Sequence, residues 1–136
     1  MAEQKKLSIV VTESTFDKAM ASMFLATTGA GMGMEVHMFF SFFGLNLLKK
    51  GYKPSLPGIM GPMTGMFKKR MREVGIESYD EMVETALELE VNMYACSTSM
   101  RMMDITEDEL MDGVKILGAA GFLDVATESD SQLFIG

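Results

Sequence analysis

Apolar runs typical of strands alternate along the chain with stretches in which apolar residues recur at helical spacing. Residues 7–12 form a run rich in β-branched side chains, which predicts a buried strand. Helical spacing follows from Phe16, after Ser14 or Thr15 as the cap, and the glycines from Gly29 predict its end. A second strand is predicted over 34–40. The break after it precedes a short predicted helix at 45–51.

Two capping boxes predict helix starts in the second half of the chain. Ser78 with Glu81 begins a helix that is expected to reach residue 90, and the apolar run 91–95 then predicts a strand. Thr106 with Glu109 begins a helix that Asp112 and Gly113 stop after little more than a turn. A strand at 114–117, a helix at 119–127 and a strand at 132–135 complete the pattern.

Strands that are apolar nearly throughout, alternating with helices, predict the α/β class. The expected architecture is a mostly parallel sheet of about five strands, doubly wound, with helices on both faces. The 136 residues, 48% of them apolar, suffice for one domain spanning 1–136.

Composition narrows the function classes. The single cysteine cannot form an internal disulfide, which favours a reducing compartment and predicts a cytoplasmic protein. The polar N-terminus and the absence of a long apolar stretch predict neither a signal peptide nor a membrane span. A net charge of −7 argues against nucleic acid as a partner. One histidine and one cysteine, far apart in sequence, predict no metal centre.

The charge is distributed unevenly. Residues 36–72 contain seven of the twelve basic residues and none of the nineteen acidic ones. This block includes a segment at about 52–72 that is rich in methionine, glycine and proline, and it predicts an adaptable basic insertion with a helix over 64–72. Lys68, Lys69 and Arg70 are its candidate docking residues for a partner or for the surface of an anionic membrane.

Small polar residues follow three predicted strands. They comprise Ser14 after the first strand, Ser41 after the second, and the row from Cys96 to Ser99 after the third. Ligands of open parallel sheets bind outside the carboxyl ends of the strands, where helix N-termini and free N–H groups converge. Cys96 is the one strong nucleophile among these residues.

A thiol at a strand exit is suited to sulfur transfer. Neighbouring backbone N–H groups can lower the pKa of such a thiol, and its thiolate can accept a sulfane sulfur and present it to a partner thiol. Ser97 and Thr98 are candidates for binding the anionic adduct, and Arg101 for supplying positive charge. This chemistry requires no cofactor, and it depends on a thiol that opens onto solvent.

Several segments together resemble the DsrE/DsrF-like sulfur-relay family over nearly the whole chain, most closely its small stand-alone branch, sometimes labelled peroxiredoxin-like. They are residues 94–100 around Cys96, 36–45, 61–69 and 129–135. The resemblance implies a flavodoxin-like three-layer α/β/α fold, homo-oligomeric assembly, and sulfane sulfur or thiosulfate held at Cys96. Small sulfur-relay proteins of the TusA or rhodanese type are the implied partners. Members often carry a second cysteine, which residues 100–111 lack here, so an internal resolving thiol is absent. A sulfur carrier or sulfurtransferase-like protein therefore fits better than an enzyme of fast turnover.

Simpler interpretations remain open beside these. Cys96 can be an inert core residue, because free cysteine is among the most buried residue types. His37, within an apolar strand, is expected to be a satisfied imidazole, and Arg101 can be a surface cation paired with Asp104. The alternative function is therefore a non-catalytic binding or scaffold module that docks through the basic segment to a membrane or protein complex.

Overall fold

The computed structural model describes residues 4–136 of the chain. These residues contain five strands and five α-helices. The strands are β1 (Lys6–Val11), β2 (Glu35–Phe40), β3 (Asn92–Cys96), β4 (Lys115–Leu117) and β5 (Ser131–Ile135). The helices are α1 (Phe16–Gly31), α2 (Thr64–Glu73), α3 (Tyr79–Glu88), α4 (Ser97–Met102) and α5 (Ala119–Ala126). Shorter 3₁₀ helices cover Phe42–Leu48, Gly58–Met63 and Glu107–Glu109.

The strands form one parallel sheet in the order β4-β3-β2-β1-β5. The register pairs Val11 of β1 with Phe40 of β2, and Phe40 with Ala95 of β3. Three neighbouring strands therefore end at the same edge. The prediction of a mostly parallel sheet with a shared rim of strand exits is confirmed.

One face of the sheet holds the main core, and we call it the α1 face. Alternate side chains of the central strands, among them Ile9, Met38 and Met93, pack there against α1 and α3. Helix α3 begins as predicted, because Ser78 and Glu81 form both hydrogen bonds of a capping box. This face resembles an ordinary close-packed protein interior.

The opposite face is covered mainly by α5, and we call it the α5 face. Helix α5 buries only Phe122, whose ring stacks on Phe39 at a centroid distance of 4.5 Å. Phe134 of the edge strand β5, on the same face, is 69% exposed. The predicted three layers are present, but the third layer is thin.

The structure differs from the predicted elements in two places near the sheet edge. The helix expected at 45–51 is a 3₁₀ helix at Phe42–Leu48, and a helix that was not expected, α4, begins directly after Cys96. Residues 97–102 carry three consecutive hydroxyl side chains, which favour turns in sequence reasoning. Tertiary packing overrides this preference, since Ser99 and Met100 are buried.

Candidate functional site at the carboxyl edge of the sheet

Cys96 is the last residue of β3 and the N-cap residue of α4. Its strand is held in the middle of the sheet, with Leu117 of β4 opposite it on one side. On the other side, Phe40 of β2 pairs with Ala95, and extending this pairing by one residue places Ser41 opposite Cys96. The first N–H groups of a helix have no intrahelical acceptor. The backbone N–H groups of the first turn of α4, directly after Cys96, are therefore available as hydrogen-bond donors.

The thiol does not open onto solvent as the sequence predicts. Cys96 is only 6% exposed and belongs to a small apolar cluster with Phe39, Tyr94 and Phe122. Phe122 reaches this cluster from α5, and Leu117 packs against its side. The prediction of an open thiol is wrong for the single chain, because the sequence places Cys96 at a strand end but does not show that Phe122 of the predicted helix at 119–127 packs into the same cluster.

The polar candidates next to Cys96 differ in their surroundings. Ser97 is half-buried, and its Oγ faces the start of α5, 3.5 Å from where a Cβ on Gly118 would lie. Thr98 and Arg101 are exposed on α4. Arg101 forms no ion pair with Asp104 among the described residues. Its guanidinium is thus available to an anion.

Ser41 and Ser14 are not equivalent. Ser41 is buried at the end of β2, beside the end of β3, and its N–H donates to the carbonyl of Val11. Ser14 lies after β1, where the Tyr52 hydroxyl lies 3.2 Å from its Oγ and 3.3 Å from its carbonyl oxygen. Ser41 therefore lies near Cys96, whereas Ser14 is hydrogen-bonded to Tyr52.

Ser99, which the sequence places in the polar row after the third strand, is joined at this edge by Phe42, which sequence reasoning missed. The Phe42 N–H donates to Ser99 Oγ over 2.9 Å, which ties the 3₁₀ helix to α4 one turn after Cys96. Phe42 adopts a left-handed φ of 47°, a strained conformation for an aromatic residue. Phe42 and Phe43 are exposed. The signal in the sequence is the Ser-Phe-Phe-Gly break at 41–44, which by itself predicts only the end of a strand.

Gly44 explains how closely this segment approaches the sheet. A Cβ at Gly44 would lie 2.2 Å from the carbonyl oxygen of Val11, so no larger residue fits without a shift of the backbone. The first turn of the 3₁₀ helix is therefore fixed at both ends. Gly44 packs closely against Val11 of β1, and the Phe42 N–H donates to Ser99 of α4.

His37 is satisfied within a polar chain on the α5 face, as predicted. Its Nδ1 lies 2.8 Å from the Tyr94 hydroxyl, and its Nε2 lies 2.7 Å from Oε2 of Glu35. The hydrogen bond with His37, with help from Lys6, lowers the pKa of Glu35, although burial opposes this. Burial, and then the charge of Glu35, raise the pKa of Tyr94. This polar chain runs from Glu35 at the start of β2 to Tyr94, whose ring also packs in the cluster that contains Cys96.

Sequence comparisons identify the family. A model of the DsrE/DsrF/DrsH-like family matches residues 3–60 and 52–134. This chain belongs to that family. It is 38% identical to the sulfur carrier protein DsrE2 of Allochromatium vinosum, over 98% of this chain and 99% of that protein. It is 30% identical to the uncharacterized protein YrkE of Bacillus subtilis, over 99% of this chain and the whole of the other.

Two solved structures show the same fold as this DsrE-like chain. The crystal structure of the ychN protein from E. coli superposes with a TM-score of 0.72 at 18% identity, over 97% of this chain and all of that one. MTH1491 from Methanobacterium thermoautotrophicum, described as a protein of unknown function, superposes with a TM-score of 0.70 at 13% identity, over 96% of this chain and 99% of that one. The flavodoxin-like architecture is confirmed, and at these identities the similarity concerns the fold alone.

The three predicted docking residues of this DsrE-like chain do not share one surface. Lys68 is half-buried on the inner side of α2, where its Nζ lies 5.8 Å from the centroid of the Phe16 ring. Lys69 and Arg70 point outward and line an open groove with Met66, Phe67 and Glu73, and the Arg70 guanidinium lies 3.5 Å from the Glu73 carboxylate. Only the outward pair remains a candidate for docking.

The described residues show neither a cluster of metal ligands nor a helix that could span a membrane. Within residues 4–136 there is no group of three histidine, cysteine or acidic side chains arranged to hold a metal ion. Among those same residues, no helix combines the length and the apolar character needed to cross a membrane.

Proposed function

We propose that this chain is a sulfur carrier that holds sulfane sulfur on Cys96 and passes it to the thiol of a partner protein. The observation that carries the proposal is that the only cysteine of the chain lies at the carboxyl edge of the sheet. A persulfide requires a thiol, so any sulfur carried in this form is attached there. Near full-length similarity to a protein named a sulfur carrier supports the same role.

The loading step is a displacement at sulfur. The Cys96 thiolate attacks the outer sulfur of thiosulfate, the S–S bond of thiosulfate breaks, and sulfite leaves with the bonding pair, giving a persulfide. With tetrathionate, attack on an inner sulfur gives a thiosulfonate on Cys96 and releases thiosulfate. Neither step requires a cofactor, an oxidant or a reductant.

The unloading step needs a second thiolate, which the chain itself lacks. A partner thiolate attacks the outer sulfur of the persulfide, and the Cys96 thiolate leaves, so that the sulfur moves with no net redox change. Since the chain has one cysteine, this thiolate comes from another molecule. A small carrier of the TusA or rhodanese type is the proposed acceptor, in the cytoplasm, and the chain is expected to act as a homo-oligomer.

Groups that can bind the anionic adduct surround the start of α4. Ser97 and Thr98 supply hydroxyls, the first turn of α4 supplies N–H groups, and Ser41 lies opposite the cysteine. Arg101, which forms no ion pair among the residues that the structure describes, adds a positive charge in the last turn of the same helix. Because Cys96 is buried in one apolar cluster with Phe122 of α5, loading also requires this cluster to open locally.

Mass spectrometry of the intact protein tests the proposal. After incubation with thiosulfate, tetrathionate or a persulfide donor under native conditions, we expect an adduct of the corresponding mass that reductant removes. The Cys96→Ser variant is the matched control and should remain unmodified. An unmodified wild-type mass, under conditions in which a small alkylating reagent does label Cys96, would rule out the carrier role.

A second candidate function is docking through the basic, methionine-rich segment. Ile59 is 97% exposed, and Met60, Met63, Met66 and Phe67 are also exposed, next to the outward Lys69 and Arg70. Apolar side chains beside cations suit an anionic membrane surface or an acidic protein complex. In this alternative the chain is a binding module, and Cys96 is structural.

Co-sedimentation with anionic vesicles and pull-down of cellular partners test the docking function. Neutralising Lys69 and Arg70 to glutamine should weaken retention, because it removes the two outward charges. Neutralising the exposed Lys5 and Lys115 is the control for net charge and should leave retention nearly unchanged. Equal retention of both double variants would exclude the segment as a docking site.

A further inference from the structure

A cavity of about 180 Å³ lies where the start of α1, the inner side of α2 and the start of α3 meet. It is separate from the cysteine, since none of its lining residues belongs to β3, α4 or α5. It is also separate from the outward groove beside Lys69 and Arg70, which is lined by other residues of α2. The cavity therefore has no role in the proposed sulfur chemistry.

The floor of this cavity is apolar. Phe16 and Tyr79 are both buried, and Met71 and Ile76 add further apolar surface around them. The Tyr79 hydroxyl is directed to the carbonyl of Leu47, at 3.5 Å, so the ring rather than the hydroxyl is free to contact a ligand. Such a surface favours a ligand with a hydrocarbon or aromatic body, because water is released from both on contact.

The mouth of the cavity carries an excess of positive charge. Lys53, Lys68 and Arg72 line the cavity, with Asp80 as the only acidic lining residue; Lys53 and Arg72 are exposed, and Lys68 Nζ lies 5.8 Å from the centroid of the Phe16 ring. Among the described residues, none of the three cations has a carboxylate partner within 4.0 Å. Basic residues whose charge is not neutralised by the protein are available to bind an anionic group.

The neighbouring polar groups do not compete for this charge. Ser78 lines the cavity as the N-cap residue of α3, but its hydroxyl accepts the Glu81 N–H, and Glu81 in turn accepts the Ser78 N–H. The capping box is thus closed on itself. The three cations and Asp80 are the charged groups of the lining, and since none of them forms an ion pair among residues 4–136, the lining keeps an excess of positive charge.

We propose that this cavity binds a small organic anion, with a carboxylate or sulfonate group at the cationic mouth and a short apolar body on the floor of Phe16 and Tyr79. An inorganic anion would leave the apolar floor uncovered, and an organic cation would meet like charges. A cavity of this volume suits a ligand smaller than a typical drug molecule. Helix α2 contributes both parts of the site, through Met71 on the floor and Lys68 with Arg72 at the mouth.

Hexanoate is the probe, titrated into isotope-labelled protein and followed by amide chemical shifts. We expect saturable shifts at Phe16, Met71 and Tyr79, and weaker or undetectable binding of hexanol, hexylamine and inorganic phosphate. The Lys68→Gln/Arg72→Gln variant should bind hexanoate about tenfold more weakly. The matched control is Lys69→Gln/Arg70→Gln, which removes the same charge from the same helix on its outward side and should stay within about twofold.

Further variants separate this site from a folding defect and from the thiol. Lys53 lies in a loop outside α2. The Lys53→Gln variant should also weaken hexanoate binding, by about threefold. Cys96→Ser should leave it unchanged. The proposal is overturned by absent saturation, by hexylamine binding as tightly as hexanoate, by shifts confined to Met66 and Phe67, or by equal losses in the inner and outer double variants.

Discussion

The two faces of the sheet differ in how completely they are covered. On the α1 face two helices seal the strands, and Met38 and Met93 have no exposed surface. On the α5 face one short helix buries a single side chain, Phe122, and leaves Phe134 at the edge open. The lone cysteine lies on the thin face. Local opening above Cys96 therefore requires no disruption of the main core.

The largest effect is expected from a cavity in the core of the α1 face. Met93→Ala should lower the free energy of unfolding by about 2–5 kcal/mol, because a fully buried side chain is removed from a close-packed site. Chemical denaturation measures the change. Phe134→Ala on the α5 face is the control and should cost less than about 1 kcal/mol, since its ring is largely in water. Similar losses for both would show that the faces do not differ in packing.

The next effect concerns access to the thiol. Phe122→Ala should increase the rate of Cys96 alkylation in native buffer by at least about tenfold, because it removes the buried contact of α5 with the thiol cluster. Leu123→Ala, an exposed neighbour on the same helix, should change the rate by less than about twofold.

Hydrogen exchange sharpens this test. In the Phe122→Ala variant, amides of α5 should lose protection, whereas amides of β1 and β2 keep it. Uniform loss of protection would mean that the two faces open together and do not differ in local stability.

The smallest effect is a pH dependence from the polar chain of the α5 face. The folded state lowers the pKa of Glu35, so this group stabilises the fold above the ordinary carboxyl pKa and loses that contribution as the pH falls through the lowered value. Glu35→Gln should therefore reduce the free energy of unfolding near about pH 7, by less than about 1 kcal/mol because the side chain is partly exposed. The difference from wild type should shrink towards about pH 3; growth of the difference in acid would contradict this assignment.

Local sequence signals predicted most of the fold. The strands β1, β2, β3, β4 and β5 lie within about one residue of their predicted bounds, because buried parallel strands are apolar nearly throughout. The capping box of Ser78 and Glu81 set the start of α3, and that of Thr106 and Glu109 set a single 3₁₀ turn. Helix α4 escaped prediction because its hydroxyl side chains favour turns unless packing decides otherwise.

The candidate site was only partly predictable. The sequence placed Cys96 at a strand exit together with Ser97, Thr98 and Ser41, since parallel strands end at one edge. It did not reveal the tie between Phe42 and Ser99, which joins segments far apart in the chain. Nor did it show that Lys68 turns inward while Lys69 and Arg70 face outward, because helical position matters only once a packing partner is known.

By itself, the sequence determined the alternation of strands and helices, the family and the single position at which a thiol is available. Only the tertiary structure decided how far that thiol is exposed and which cations meet around the cavity beside α2. The physical reason is that periodicity and capping act over a few neighbouring residues, whereas burial depends on contacts such as that of Phe122 with Phe39 between distant segments.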